Sequence, residues 1–285
     1  MSISRNDHQP PSTPFDYRLD FARPSRARLT NLLLGGNEAF EVDRRVLGEL
    51  KAIAADIDRF ALDEAGFVER AWRYLSEVIG IRQVIHCGAP LSPGRPPHHV
   101  AWENTEILDQ GPVIYVEPDP VLAAKGRVFL ADHETISVAD TDPTDLDAML
   151  GNLEVSQRLD FRERVLVIAP GLLHQVSVER AADLVTGFGE QLAPGSVIAA
   201  THALDPETED GTALAQRMQD VFEHGAMPTY FRTKADIAAL FSGYDLFAPG
   251  VVRCSRWWPS GPQLRPRTPC EQLNAGVVAK VVRAP

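Results

Sequence analysis

The chain has 285 residues, 44% apolar and 24% charged, enough for one large α/β domain or two small ones around a sizeable core. Its formal charge of −11 argues against a nucleic-acid-binding face, because neutralising phosphates needs a basic surface. Three cysteines without metal-type spacing, no leader-like start and no apolar run of the roughly 18–20 residues that span a bilayer point to a soluble, cytoplasmic protein with reduced thiols and no membrane partner.

Residues 1 to 24 are polar and proline-bearing and read as a flexible N-terminal arm. From 25 to 80 the periods are those of a helical cap. Val42, Val46, Leu47, Leu50 and Ile53 share one helix face, and Phe67, Ala71, Trp72, Leu75 and Ile79 share another. After Gly80 short apolar runs alternate with helical stretches. Strands are expected at 83–87, 113–116, 135–138, 165–169 and 197–201, with helices around 98–108, 120–130, 144–151 and 178–192. Such alternation means βαβ units and a mostly parallel sheet, in a domain of residues 81–285. A helix near 210–224 and a short one in TKADIAALF follow. The last apolar runs, VVRCSRWW and AGVVAKVVR, have no helix between them and are expected to pair antiparallel.

A doubly wound sheet binds its ligand outside the carboxyl ends of its strands, so residues 86–95, 117–119, 139–142 and 169–175 should converge. Glu117 closes the second strand, where an acid can accept hydrogen bonds from both ribose hydroxyls, and Asp119 follows it. Either acid could equally cap the next helix. In SVADTDP, Asp140 or Asp142 can accept from an adenine amino group, with capping the role expected of Asp142. His174 and His202 lie at the ends of strands four and five, each as a general base or as a satisfied structural histidine. The loop VIHCGAPLSPGRPPHH is no dinucleotide loop: Gly88 and Gly94 are six apart, with Pro90 and Pro93 between them. RWWPSGP, with Trp257 and Trp258, reads as a partner surface, a lid or core.

Six stretches, in order over more than 200 residues, carry a resemblance: ARLTNLLLGGNEAFEVDRR, GIRQVIHCGAPLSP, VIYVEPDPVLAAKGR, LLHQV, LAPGSVIAATHA and RTKADIAALFSGYDLFAPGVV. Together they resemble a family of S-adenosylmethionine-dependent methyltransferase-like proteins common in Streptomyces and related actinobacteria. The resemblance implies an α/β class I methyltransferase fold, Rossmann-like, with a seven-stranded, mostly parallel sheet and a helical N-terminal cap. It implies S-adenosylmethionine as cofactor, for which Gly88, Glu117, Asp119 and Asp140 are the binding candidates. The chain also departs from the family pattern. The aspartate ending strand one is His86, the Gly-Thr-Gly is Gly88-Ala89-Pro90, and a Tyr-Asp pair is Thr30-Asn31. The lysine after the twin glycines is Asn37, and an Asn-Arg pair is replaced near Glu64 and Ala65. Each lost charged hydrogen bond costs on the order of 1.5–3 kcal/mol. Two or three together weaken cofactor binding roughly a hundredfold or more.

These departures favour a repurposed enzyme of specialised metabolism: a non-methylating displacement or cyclisation of a small molecule, without bound S-adenosylmethionine. His86, His174 or Glu117 would act as base, and Arg28, Asn37, Arg82 or Arg95 would hold the leaving group. Two alternatives stand beside it: a divergent methyltransferase that uses the cofactor on a small metabolite, and a silent partner subunit of another enzyme. A small-molecule substrate is the expected partner, with a protein partner or a second copy as further ones. No metal is expected.

Overall fold

The computed structural model describes residues 20–88 and 111–282. The helix expected around 98–108, the proline-bearing stretch 89–97 and residues 1–19 of the arm lie outside them.

The strands are β1 (Gln83–Cys87), β2 (Val113–Val116), β3 (Ile136–Ala139), β4 (Val165–Ala169), β5 (Val197–Ala203), β6 (Asp245–Leu246), β7 (Val252–Arg253) and β8 (Asn274–Lys280). They form one sheet in the order β3-β2-β1-β4-β5-β8-β6, with β7 also on β8. Strands β1 to β5 are parallel, and β8 runs antiparallel to its neighbours. Among the described residues the sheet thus has eight strands where seven were expected, because β6 and β7 are separate two-residue pieces on β8. The antiparallel pair expected near the C-terminus forms, with Val252 opposite Gly276 and Arg253 opposite Ala275. It stops there because Cys254–Arg256 close into a 3-10 turn. The long partner of β8 is β5, from Val197 opposite Lys280 to Ala203 opposite Asn274.

Both faces of the sheet are covered, which is why the strands read as unbroken apolar runs. Ile85, Ile114, Val167, Ile198 and Val277 point to one core. Their chain neighbours Val84, Val113, Leu166, Ala199 and Val278 point to the other, as the two-residue period of a strand requires. Helices α1 (Arg26–Leu33), α2 (Glu41–Ile53) and α3 (Asp58–Glu77) precede β1. The cap is not a separate body. Phe67, Val68, Ala71, Trp72 and Leu75 of α3 belong to the second sheet core, and Gly276 of β8 sits so close to Phe67 that an added Cβ would lie 2.4 Å from its ring. Leu29, Val46 and Leu50 of α1 and α2 pack on a third core with Met218 and Phe222.

Helix α4 (Pro120–Phe129) follows β2, α5 (Leu146–Gly151) and α6 (Leu153–Ser156) follow β3, and α7 (Val178–Gln191) follows β4. Helices α8 (Glu209–His224) and α9 (Lys234–Leu240) come after β5. Trp257 is core, fully buried, whereas Trp258 is half exposed and lies on Tyr74 with ring centroids 4.3 Å apart. Among the described residues no helix is long and apolar enough to cross a membrane.

Candidate functional site

A cavity of about 650 Å³ opens at the carboxyl ends of β1, β2 and β4, roofed by α1 and α3. That size lies in the range of small-molecule sites, and its place at the switch from β2 to β4 around β1 is where such sheets bind ligands. His86, Gly88, Glu117 and His174 all line it, as do Asn31, Glu64 and Arg73, which lie outside the expected set.

The β1–β2 side carries Glu117, fully buried at the end of β2. Its Oε1 accepts from Asp119 N at 2.7 Å, which turns the carboxylate across the top of the strand. Gly88 N donates to Val116 O at 2.8 Å, so the backbone after β1 runs beside it. His86 is buried between the rings of Trp72 and Tyr115, at 5.7 and 5.1 Å, with Nδ1 3.4 Å from Gly88 O.

The β4–β5 side is polar at its floor. Gly171, just past β4, donates its N–H to Thr201 Oγ1 at 2.8 Å. With that lone pair taken, the Thr201 hydroxyl donates to Glu64 Oε2. His174 Nδ1 accepts from Ala203 N at 3.0 Å, so its one proton sits on Nε2. His202 Nε2 accepts from Arg232 Nη1 at 2.7 Å, and its Nδ1 donates to Ala203 O at 2.7 Å. Both imidazoles are thereby held neutral in one tautomer. Burial, with Arg26, His202 and Arg232 behind it, holds His174 well below the usual histidine range. His202 is pushed down to about 3, chiefly by burial. Gly171 sits at φ +61, and a Cβ there would lie 2.9 Å from the His174 ring, so the glycine is what lets this floor close.

Several expected ligands have other work. Asp119 caps α4, its Oδ1 accepting from Val121 N at 3.0 Å and Leu122 N at 3.1 Å. Its Oδ2 accepts from Arg28 Nη1 at 2.6 Å. Arg28 in turn donates to Asp43 through Nε at 2.7 Å and to Arg23 O through Nη2 at 2.7 Å, so its fork is spent inside the protein. Asn37 is exposed and does not line the cavity; Asn31, six residues earlier on α1, does. Arg82 is exposed at the amino end of β1, the far end of the sheet from the crevice. Asp140 pairs with Arg127 of α4 at 2.5 Å, away from the cavity wall, and it is Asp142 that lines it. Asp142 Oδ1 accepts from Thr144 N at 2.8 Å, a turn rather than a helix cap, since Asp145 caps α5. Arg95 lies outside the described residues.

A family model described as S-adenosyl methyltransferase matches residues 12–282. The chain belongs to this family. A candidate methyltransferase from Thermobifida fusca is similar, at 27% identity and TM-score 0.85 over 93% of this chain and 97% of that one. A DUF574 family protein from Streptomyces avermitilis is similar at 23% identity and TM-score 0.82, over 92% and 99%. The magnesium protoporphyrin IX methyltransferase of Synechocystis, solved with S-adenosylhomocysteine, shares the fold at 12% identity and TM-score 0.50, over 88% and 92%. No curated protein matches.

Within this methyltransferase frame the residues in and around the cavity to which sequence reasoning gave no role are Glu64, Thr201, Arg26 and Arg73. The signal for Glu64 is present: it interrupts the apolar face of α3 between Ala61 and Phe67–Val68, where a carboxylate has no reason to be unless something meets it. His86 corrects the expectation of a base. Burial pushes its pKa down to about 4, so it is neutral at physiological pH and a poor proton acceptor. The sign of its effect on stability follows. The folded chain holds fewer protons than the unfolded one between about pH 4 and 6.5, so the stabilisation is complete above 6.5 and falls as pH drops, levelling off below 4. The loss from this group is about 3 kcal/mol. Denaturant unfolding as a function of pH should show it, and His86→Phe should flatten that part of the curve.

Proposed function

We propose that this chain transfers the methyl group of S-adenosylmethionine to a small molecule held in the cavity. The observation that carries the reading is Glu117, a fully buried carboxylate at the end of β2 on the wall of a cavity large enough for a nucleoside. Its charge suits the two hydroxyls of a ribose. The methionine end has its own candidates. Arg73 lines the cavity with its Nε buried and without a hydrogen-bond partner among the described residues, which suits a carboxylate. Glu69 of α3 puts a carboxyl group on the wall where His86 puts none. When bound, S-adenosylmethionine supplies an electrophilic methyl carbon on a good leaving group. The chain's part is to hold the acceptor in line with it and to exclude water.

A displacement without methyl transfer that runs on a histidine base needs His86 or His174, with Arg28, Asn37, Arg82 or Arg95 for a leaving group, and His174 Nδ1 is already taken by Ala203 N. His86 is held neutral among aromatic rings, Arg28 is spent on Asp43 and Asp119, and Arg82 lies at the wrong end of the sheet. The methylation reading needs none of them. Isothermal titration with S-adenosylmethionine and S-adenosylhomocysteine is the test. Binding of both in the micromolar range is expected, and no heat up to millimolar concentration would overturn the reading.

A further inference from the structure

Resting on the methyl-transfer reading, we propose that Glu64 takes the proton from the acceptor, and that the acceptor is a neutral hydroxyl on an apolar frame. The two sides of the cavity are chemically different. The nucleoside candidates gather at β1 and β2, while Glu64, Thr201 and His174 gather beyond β4 and β5, across the switch point. On that second side Glu64 Oε2 is held by Thr201, whose hydroxyl is itself oriented by Gly171 N–H. Glu64 Oε1 has no hydrogen-bond partner among the described residues, and the side chain lines the cavity. One oxygen is anchored and the other is offered.

The neighbouring groups select the acceptor. His174 presents a donor, Nε2–H, because Nδ1 is used by Ala203 N. Arg26 also lines this wall; its Nη2 is tied to Met227 O, Pro228 O and Thr229 Oγ1, and its charge acts on Glu64 without forming a pair with it. An acceptor here meets one carboxylate oxygen, one imidazole N–H and a cation. A hydroxyl matches all three: it donates to Glu64, accepts from His174, and as it loses its proton its growing negative charge is favoured by Arg26. An ammonium has donors only and faces Arg26 and His174 N–H. A carboxylate faces Glu64. Leu29, Leu33, Phe60 and Phe222 supply apolar walls on the same side, so the hydroxyl arrives on an apolar frame.

In the step, the O–H bond breaks and Glu64 Oε1 receives the proton. The oxygen's electron pair forms the bond to the methyl carbon, and the carbon–sulfur pair departs with sulfur, leaving a methyl ether and S-adenosylhomocysteine. Burial raises the Glu64 pKa above the ordinary carboxylate range, opposed by Thr201 and Arg26, which makes the ionised form a stronger base. The charged or titratable groups facing it are Arg26 from α1, His174 from the turn after β4, Cys254 from the turn after β7 and Asp63 beside it on α3. Arg232 and His202 stand behind His174.

The test is isothermal titration of the full-length protein, saturated with S-adenosylhomocysteine, with three probes of one shape: naphthol, naphthoate and naphthylmethylammonium. Naphthol is expected to bind at least about tenfold tighter than the charged pair. Its affinity should fall as pH drops through the raised Glu64 pKa, and Glu64→Gln should weaken it about tenfold, abolish that limb and leave S-adenosylhomocysteine binding unchanged. Tightest binding of the ammonium, or a Glu64→Gln protein with unaltered naphthol affinity and pH profile, would overturn the proposal. If the variant does not fold, the probe order and the pH limb of the natural chain decide alone. If S-adenosylhomocysteine itself fails to bind, the methyl-transfer reading falls. The probes titrated without it then still decide whether Glu64 meets a hydroxyl.

Discussion

Glu117→Gln is expected to weaken S-adenosylhomocysteine binding roughly a hundredfold while leaving the protein folded. The side chain is fully buried at the end of β2, and its Oε1 accepts from Asp119 N. Glutamine keeps the volume and can keep that acceptor, so the local turn survives. What it loses is the charge and the second acceptor that a ribose diol would use. Hydrogen bonds to charged groups are worth on the order of 1.5–3 kcal/mol each, and two of them more than account for the expected loss. Isothermal titration measures it directly, with a thermal melt as the check on folding. An affinity within about threefold of the natural chain, less than 1 kcal/mol, would remove Glu117 from the nucleoside site.

Arg28→Met should cost stability rather than binding chemistry. Arg28 and its partners Asp43 and Asp119 are almost wholly inaccessible, at 5%, 0% and 5% exposure, so water cannot take over when one is removed. The guanidinium bridges α1, α2 and the start of α4, and lies 4.5 Å from the Phe40 ring centre. Asp43 also accepts from Ser25 N and Phe40 N, both at 2.8 Å, so it remains as a buried acceptor. Methionine fills similar space and leaves two carboxylates unpaired. Breaking a buried pair by removing one partner costs about 3–5 kcal/mol, which lowers the melting temperature by about 10 °C in a chain of this size. Arg28→Lys keeps the charge but loses the fork, and should fall between the two. Denaturant unfolding checks the order, and a methionine variant within about 1 kcal/mol of the natural chain would show that the triad is not a stabilising unit.

Much of the site's frame could be read along the chain, because it depends on local pattern. The carboxyl end of β2 is marked by an apolar run ending in an acid, and the end of β4 by VLVIAPGLLH. Local pattern therefore places Glu117, Gly88, His86 and His174 around one crevice, and the structure brings all four to one cavity. Their chemistry was not readable in the same way. Whether a histidine is a base depends on what takes its nitrogens and how dry it is. His174 is committed by Ala203, 29 positions away.

The sequence by itself determined the succession of elements and the doubly wound class. Strand and helix periods of 2 and 3.6 are properties of neighbouring residues, and they are written into every apolar run. It also determined that an acid ends β2, since the order of residues along one strand needs no fold to define it. Only the tertiary structure decided which polar groups meet. Arg28 finds Asp119 across 91 positions, which turns two expected ligands into each other's partners. Glu64 finds Thr201 across 137, which turns a family departure on α3 into an anchored carboxylate on the cavity wall. Those meetings follow from α1 and α3 packing over the strand ends of an open sheet. Burial there makes an unpaired charge too costly to leave, so the partner that arrives in space, not in sequence, sets each residue's role.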